Sequence, residues 1–170
     1  MAVGATAVRQ ALAAWIAPPA VAGLATVFTA EPRQSRDQDY FSGLPAGTVT
    51  GAMAFCAIES QAELRREVGG PTSGVKQVTY AAVVVIRCLS RQPDAENAHA
   101  DIEGIIEALL ARLRASRTLG TVDGTVFQAG EGNGLGSADL HVAFERISAL
   151  GGGLIGGAEV RLTIQQLPIT

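Results

Sequence analysis

The sequence predicts an α+β fold, with a mostly antiparallel sheet and two main helices packed on one face of that sheet. The segment Val75–Leu89 alternates its side chains with the two-residue period of a strand. The segment Asp94–Ser116 repeats its apolar residues at helical spacing, and the change of period falls at Pro93. A chain of 170 residues suits one domain over residues 1–170.

The first predicted element is a helix from Ala5 to Ala17 that ends before Pro18, because a residue preceding proline is pushed out of helical geometry. The same region invites comparison with a signal peptide, since Ala20-Val21-Ala22 has the small-residue pattern of a cleavage site. Arg9 is the one charge of the leading segment, and the apolar residues keep amphipathic spacing, which favours a helix of the folded domain. A short strand is predicted within Ala20–Thr29.

The polar, turn-rich segment Glu31–Gly47 is predicted to be a long exposed loop. It carries Arg33 and Arg36 ahead of Tyr40 and Phe41, in a chain with only 5% aromatic residues. Long loops in compact domains are commonly functional, so we expect this one to contact a partner. Replacing Tyr40 and Phe41 by Ser should weaken assembly and leave the far-UV spectrum and the melting temperature of the isolated protein unchanged.

A long antiparallel hairpin is predicted next, from a strand over Thr48–Glu63, a glycine-rich turn and the strand that starts at Val75. Arg65 and Arg66 lie near its tip, where we expect them to stand in solvent or against a partner. The second strand is apolar on both faces at its centre. One face can take the helices, and we expect a neighbouring subunit to cover the other.

The second helix is predicted over Asp94–Ser116. Acidic residues lie in its first turn and arginines near its last, as the helix dipole favours, and Leu119-Gly120 is predicted to close it. Five apolar residues share its buried face: Ile102, Ile105, Ile106, Leu109 and Leu113.

Three strands are predicted in the remainder of the chain. Val122–Ala129 forms one, and His141–Ser148 forms another with Val142 and Phe144 facing inward. The sequence LGGGLIGGA is interpreted as a flexible turn before the last strand, in which Val160, Leu162 and Ile164 alternate with polar residues.

Composition favours contacts between subunits over binding to nucleic acid or membrane. The chain is 48% hydrophobic and 17% charged, against about 25% charged in an average protein. Its net charge of −3 gives no broad basic surface for holding nucleic acid tightly. The longest apolar run, Tyr80–Ile86, is far shorter than the roughly 20 residues of a membrane-spanning helix. Cys56 and Cys88 are predicted to be reduced and buried, with a bridge left open if their strands are adjacent.

No pattern in the sequence indicates catalysis, a cofactor or a metal. The glycine-rich segment Gly130–Gly136 fits neither of the common nucleotide-binding motifs. His99 and His141 have no second ligand at metal spacing and no recognisable catalytic triad around them. The acidic pairs Asp37/Asp39 and Glu103/Glu107 are expected to be solvated, which would leave neither poised as a general acid. We therefore expect a protein that is not an enzyme.

In their order along nearly the whole chain, the elements resemble the tail terminator proteins of long-tailed, siphovirus-like bacteriophages. The resemblance rests on the helical AVRQALAAWIA, the hairpin Thr48–Leu89, the helix ending ALLARLRAS, the sequel VFQAGEGNG and the closing AEVRLTIQQ. The length of the chain and the Glu31–Gly47 loop depart from that pattern.

The resemblance implies a structural role in the virion neck, after assembly in the cytoplasm of a host bacterium. Such proteins form a homohexameric ring on the last ring of tail tube protein, stop its polymerisation and dock to the head-tail connector or stopper protein. Their sheets line a channel through which DNA passes without specific binding. The residues expected to contact partners are Arg33, Arg36, Tyr40, Phe41, Arg65 and Arg66.

Two alternatives remain open from the sequence. The first is another neck or minor tail component, such as a head-tail connector stopper, with similar composition and ring formation. The second is a small oligomeric α+β enzyme with its pocket at subunit boundaries. A deep cleft that holds Arg87 or Arg146 beside an acid would favour the enzyme.

Overall fold

The computed structural model describes residues 4–31, 47–66, 75–115, 118–122, 125–129, 140–150 and 152–167. These residues form two helices and eight strands of one sheet. The helices are α1 (Ala5–Ile16) and α2 (Ala95–Ala115); the strands are β1 (Leu24–Phe28), β2 (Thr50–Arg66), β3 (Val75–Ser90), β4 (Thr118–Val122), β5 (Thr125–Ala129), β6 (Leu140–Phe144), β7 (Ser148–Leu150) and β8 (Gly153–Leu167).

The sheet is antiparallel except at one margin, where β1 lies parallel to β2. Its main path runs β1-β2-β3-β8-β5-β4. Strand β8 pairs with β3 along one side, and its other side is shared by three short strands in succession, β7, β6 and then β5. The predicted α+β class with a mostly antiparallel sheet is therefore confirmed.

The long hairpin is also confirmed. Strands β2 and β3 stay paired from Thr50 opposite Ser90 to Arg66 opposite Val75, with one bulge between Ile58 and Ser60. Within this hairpin Cys56 faces Val84 and Cys88 faces Ala52, so the two thiols are not cross-strand neighbours. Both cysteines are free and buried, as predicted.

Both helices pack on the same face of the sheet, as predicted. Each of the five apolar α2 residues singled out in the sequence is buried there, together with Ala98 and Leu110. Helix α1 adds Val8, Leu12 and Ile16 to the same core. The sheet supplies the inward residues of its three long strands, including Ala54, Cys56, Tyr80, Val84, Ile86, Val160 and Ile164. Fully burying a large aliphatic side chain contributes about 1.5–3 kcal/mol, so this one-sided core anchors both helices.

The ends of the helices follow from local chemistry. Helix α1 ends at Ile16, two residues before Pro18. Before α2, the Oδ1 atom of Asp94 accepts a hydrogen bond from the Glu96 backbone N–H at 2.8 Å, which satisfies a donor that the first turn leaves free. Arg112 and Arg114 lie in its last turn, where the helix dipole favours positive charge.

Several predictions about the second half of the chain are wrong. The strand predicted over His141–Ser148 is two strands, β6 and the start of β7, and Phe144 is largely exposed instead of facing inward. Leu119-Gly120 does not close α2, because both residues belong to β4. The strand predicted over Val122–Ala129 is instead the end of β4 and, separately, β5. Most of the LGGGLIGGA segment, predicted to be a turn, is the first part of β8.

The glycines that suggested a turn serve close packing within β8. A Cβ atom on Gly153 would lie 2.7 Å from the Ser90 carbonyl oxygen, and one on Gly156 would lie 2.8 Å from Cγ1 of Ile147. A Cβ atom on Gly157 would collide with the carbonyl oxygen of Ile86. Glycine within a strand is the expected residue where another backbone approaches closely.

Candidate interaction face of the sheet

The side of the sheet that faces away from α1 and α2 is called the open face here. In β3 and β8 it is formed by the odd-numbered residues, since their even-numbered neighbours point into the helix-covered core. Its main residues are Met53, Phe55 and Ala57 of β2, Val83, Val85, Arg87 and Leu89 of β3, and Ile155, Glu159 and Arg161 of β8.

One end of the open face is apolar and packed. Met53 and Leu89 are buried there at 3% and 5% exposure, with Phe28 and Ile155 against them. This cluster is separate from the main core. The described residues of one chain therefore bury this end by themselves, and the cover of the open face by a neighbouring subunit stays a prediction.

The centre of the open face carries a short row of charges around Arg161. Its Nε donates to Oε1 of Glu159 at 2.6 Å, and its Nη2 lies 3.5 Å from Oε1 of Glu59. The hydrogen bond to Glu159, followed by the charges of Glu159 and Glu59, raises the pKa of the Arg161 guanidinium. An exposed ion pair of this kind contributes little stability, because water and salt screen its charges.

The Arg161–Glu59 contact nevertheless shapes the face. Glu59 lies in β2 and Arg161 in β8, the two strands that flank β3, so their contact crosses β3 on the side to which Val83 points. Val83 is only 6% exposed. Val83 is the register neighbour of Arg161, so its burial accompanies the ion pair and is not evident from the sequence pattern alone.

A second ion pair joins Arg87 of β3 to Glu145, which directly follows β6. The Glu145 backbone N–H donates to the Gly157 carbonyl at 2.9 Å, and the missing side chain of Gly157 leaves room for the Glu145 carboxylate. The side chains of Arg87 and Glu145 are 41% and 35% exposed. They form a surface ion pair, and Arg146 is exposed as well.

The charges of the open face are mixed. Arg87 and Arg161 each lie against glutamates, which are Glu145 for the first and Glu59 and Glu159 for the second. Among the side chains that the structure describes, this face has no row of free cations along which a phosphate backbone could be held.

A polar cluster at the end of the hairpin ties α2 to the sheet. The Thr50 hydroxyl donates to Oδ2 of Asp101 at 2.7 Å, and the buried Ser90 hydroxyl donates to the same oxygen at 3.4 Å. Each strand of the hairpin thereby contributes one hydroxyl to a carboxylate on the helix. We interpret this cluster as a structural clamp.

The residues predicted to contact partners fall into two groups. Arg65 and Arg66 lie at the far end of β2, where their backbones pair with Lys76 and Val75. Arg33, Arg36, Tyr40 and Phe41 lie outside the described residues. Sequence reasoning missed Glu59 of β2 and Glu145, which follows β6, and the only available signal was their position next to alternating apolar residues.

The titratable residues add no metal centre to this face. Among the residues that the structure describes, no group of three or more His, Cys, Asp or Glu side chains could hold a metal ion. His99 and His141 are exposed. Burial raises the pKa of both Cys56 and Cys88 to about 12, so these thiols are protonated at neutral pH.

No family model matches the chain, and no curated protein is found as its relative. Within the described residues, no helix is both long enough and apolar enough to cross a membrane.

Proposed function

We propose that this protein is a tail terminator of a long-tailed bacteriophage, a structural protein whose copies close into a ring on the end of the tail tube. The ring stops tail polymerisation and joins the tail to the head connector. The observation that carries the proposal is the arrangement of elements: α1, an edge strand, a long hairpin, α2 and closing strands, with both helices on one face.

The open face gives the proposal physical support. Phe55 and Val85 remain partly exposed between the packed apolar end and the charged row. Partly exposed apolar residues bordered by charges are typical of a surface that meets another protein. The mixed, slightly acidic charge of the face also suits a channel wall along which DNA slides without being held.

The decisive experiment is a capping assay. Purified protein is added to growing tubes of tail tube protein and, separately, to portal complexes, and both samples are imaged by negative stain. We expect a ring on one end of each tube and arrested growth, with bare portal complexes. Rings on portal complexes and none on tubes would assign the protein to the head-tail stopper class instead.

A further inference from the structure

Strands β1 and β6 form two of the edges of the sheet, called the two margins below, and they are alike in length and composition. Their registers differ, because β1 is irregular between Leu24 and Thr26 whereas β6 pairs regularly with β8. Strand β1 reads LATVF and strand β6 reads LHVAF, so each has five residues and no acidic or basic side chain other than the titratable His141. Among the described strands, β1 pairs with β2 alone and β6 with β8 alone. Natural edge strands are usually protected by lysine, proline or a bulge on the exposed side. Strand β6 has no lysine or proline, and it bears Phe144, whose side chain is 61% exposed.

The positions of the two strands suit pairing between copies. Strands β2, β3 and β8 lie between β1 and β6. At a spacing of about 4.8 Å between neighbouring strands, the distance from β1 to β6 is roughly 19 Å. Both strands reach the same level of the sheet, because Val27 and Phe144 lie on one lateral row through Ala54, Ile86 and Ala158. Strand directions alternate from β2 across to β6, so β6 runs opposite to β1.

The backbone of β6 also presents its hydrogen-bonding groups outward. The Glu145 N–H points to β8, where it donates to Gly157. Backbone groups of successive residues in an antiparallel strand point to alternate sides, so the N–H groups of Phe144 and Val142 point away from β8. No described strand pairs with that side of β6, so an added strand can meet these N–H groups.

We propose that β6 of one copy pairs in antiparallel fashion with β1 of the next, so that the sheet continues from subunit to subunit. This inference rests on the ring proposed above and names the surfaces that close it. The two margins are different surfaces of one molecule, which makes the contact heterologous, and a heterologous contact generates a ring when its rotation closes. Phe144 is the apolar anchor of the contact.

Cross-linking tests the pairing directly. Two variants with different tags are made, Ala25→Cys in β1 and Ala143→Cys in β6, and both substitutions are at exposed positions. Each variant alone, and a mixture of the two, is treated with a short bismaleimide. The native thiols of Cys56 and Cys88 are buried. Wild-type protein treated with the same reagent measures any cross-linking that these two thiols cause. The reagent is too short to join the two margins within one copy.

We expect cross-linked pairs that contain one copy of each variant, and little product from either variant alone. Pairs within a single variant would show that like margins meet, which would overturn the inference. If the wild-type chain forms a ring by native mass and no mixed pairs appear, the inference also fails while the ring stands. If the wild-type chain is a monomer, the proposed function fails with it.

A backbone variant provides a second test. Phe144→Pro removes the outward N–H without removing a bond to β8, whereas the matched variant Phe144→Ala keeps that N–H and removes only the side chain. We expect rings of Phe144→Pro to dissociate at a protein concentration at least about tenfold higher than rings of Phe144→Ala. Equal dissociation of two variants with wild-type melting temperatures would contradict strand pairing at β6.

Discussion

At the scale of single residues, Gly157 is a position where a close backbone contact requires glycine. A Cβ atom there would collide with the carbonyl oxygen of Ile86 in β3. We expect Gly157→Ala to lower the free energy of unfolding by about 1–3 kcal/mol, because the two strands must separate slightly to admit a methyl group. Urea denaturation of the purified variant measures the loss.

The matched control is Gly104→Ala in α2, where a Cβ atom would have no neighbour within 4 Å. Alanine is the better helix former, so this variant should be unchanged or more stable by up to about 1 kcal/mol. Equal effects at the two positions would contradict the close approach of β8 to β3.

The two buried cysteines predict a particular alkaline response. Burial raises their pKa from 9.0 to about 12 in the folded protein. The unfolded chain therefore loses these protons first, and the stability that the buried thiols contribute is fully present below about pH 9 and lost as the pH rises toward 12. We expect the free energy of unfolding to fall over this range.

The double variant Cys56→Ala/Cys88→Ala isolates that response from other alkaline titrations, such as that of Tyr80, whose pKa is also raised by burial. Denaturation at a series of pH values should give a shallower decline for the double variant. Identical slopes for the two proteins would show that the thiols are not protected from solvent.

At the scale of elements, the Asp101 carboxylate is the polar link between α2 and the hairpin. Asp101→Ala leaves the buried Ser90 hydroxyl and the Thr50 hydroxyl without this acceptor. We expect a loss of about 1–3 kcal/mol in the free energy of unfolding, since unsatisfied buried donors are costly. Thermal and urea denaturation measure it, with Glu103→Ala on the exposed side of α2 as a control expected within about 0.5 kcal/mol of wild type. Equal losses would contradict the clamp.

Sequence periodicity predicted the elements in which one period continues without interruption. The α2 face from Ile102 to Leu113 and the alternation within β2 and β3 are of this kind, and both are confirmed. The errors occur at glycines and short strands. The Gly153–Gly157 stretch was interpreted as a turn because a sequence does not show which backbone will lie against it.

The open face was predictable only in outline. Apolar residues on both sides of β3 indicated that its second face would be contacted. The Arg161–Glu59 contact was not predictable, because the order of strands brings these two residues together and their spacing in the sequence does not. Phe144 was predicted to face inward, yet it lies at a margin beyond the reach of the helices and is largely exposed.

At the scale of the whole molecule, the helices occupy one face of the sheet, and the other face and both margins remain for contacts. The open face combines its own packed apolar end with ion pairs, so in the proposed ring it would serve as a wall. Under the pairing proposed above, β1 and β6 would supply the heterologous contact. A ring built in this way would act through its shape, consistent with a surface whose charges are already paired.

The central claim is that this chain works as a closed ring of identical copies, and native mass spectrometry of the full-length protein tests it most directly. We predict one dominant species at six times the mass of the chain, maintained on dilution into the micromolar range. A single species at the mass of one chain, even at high concentration, would contradict the account.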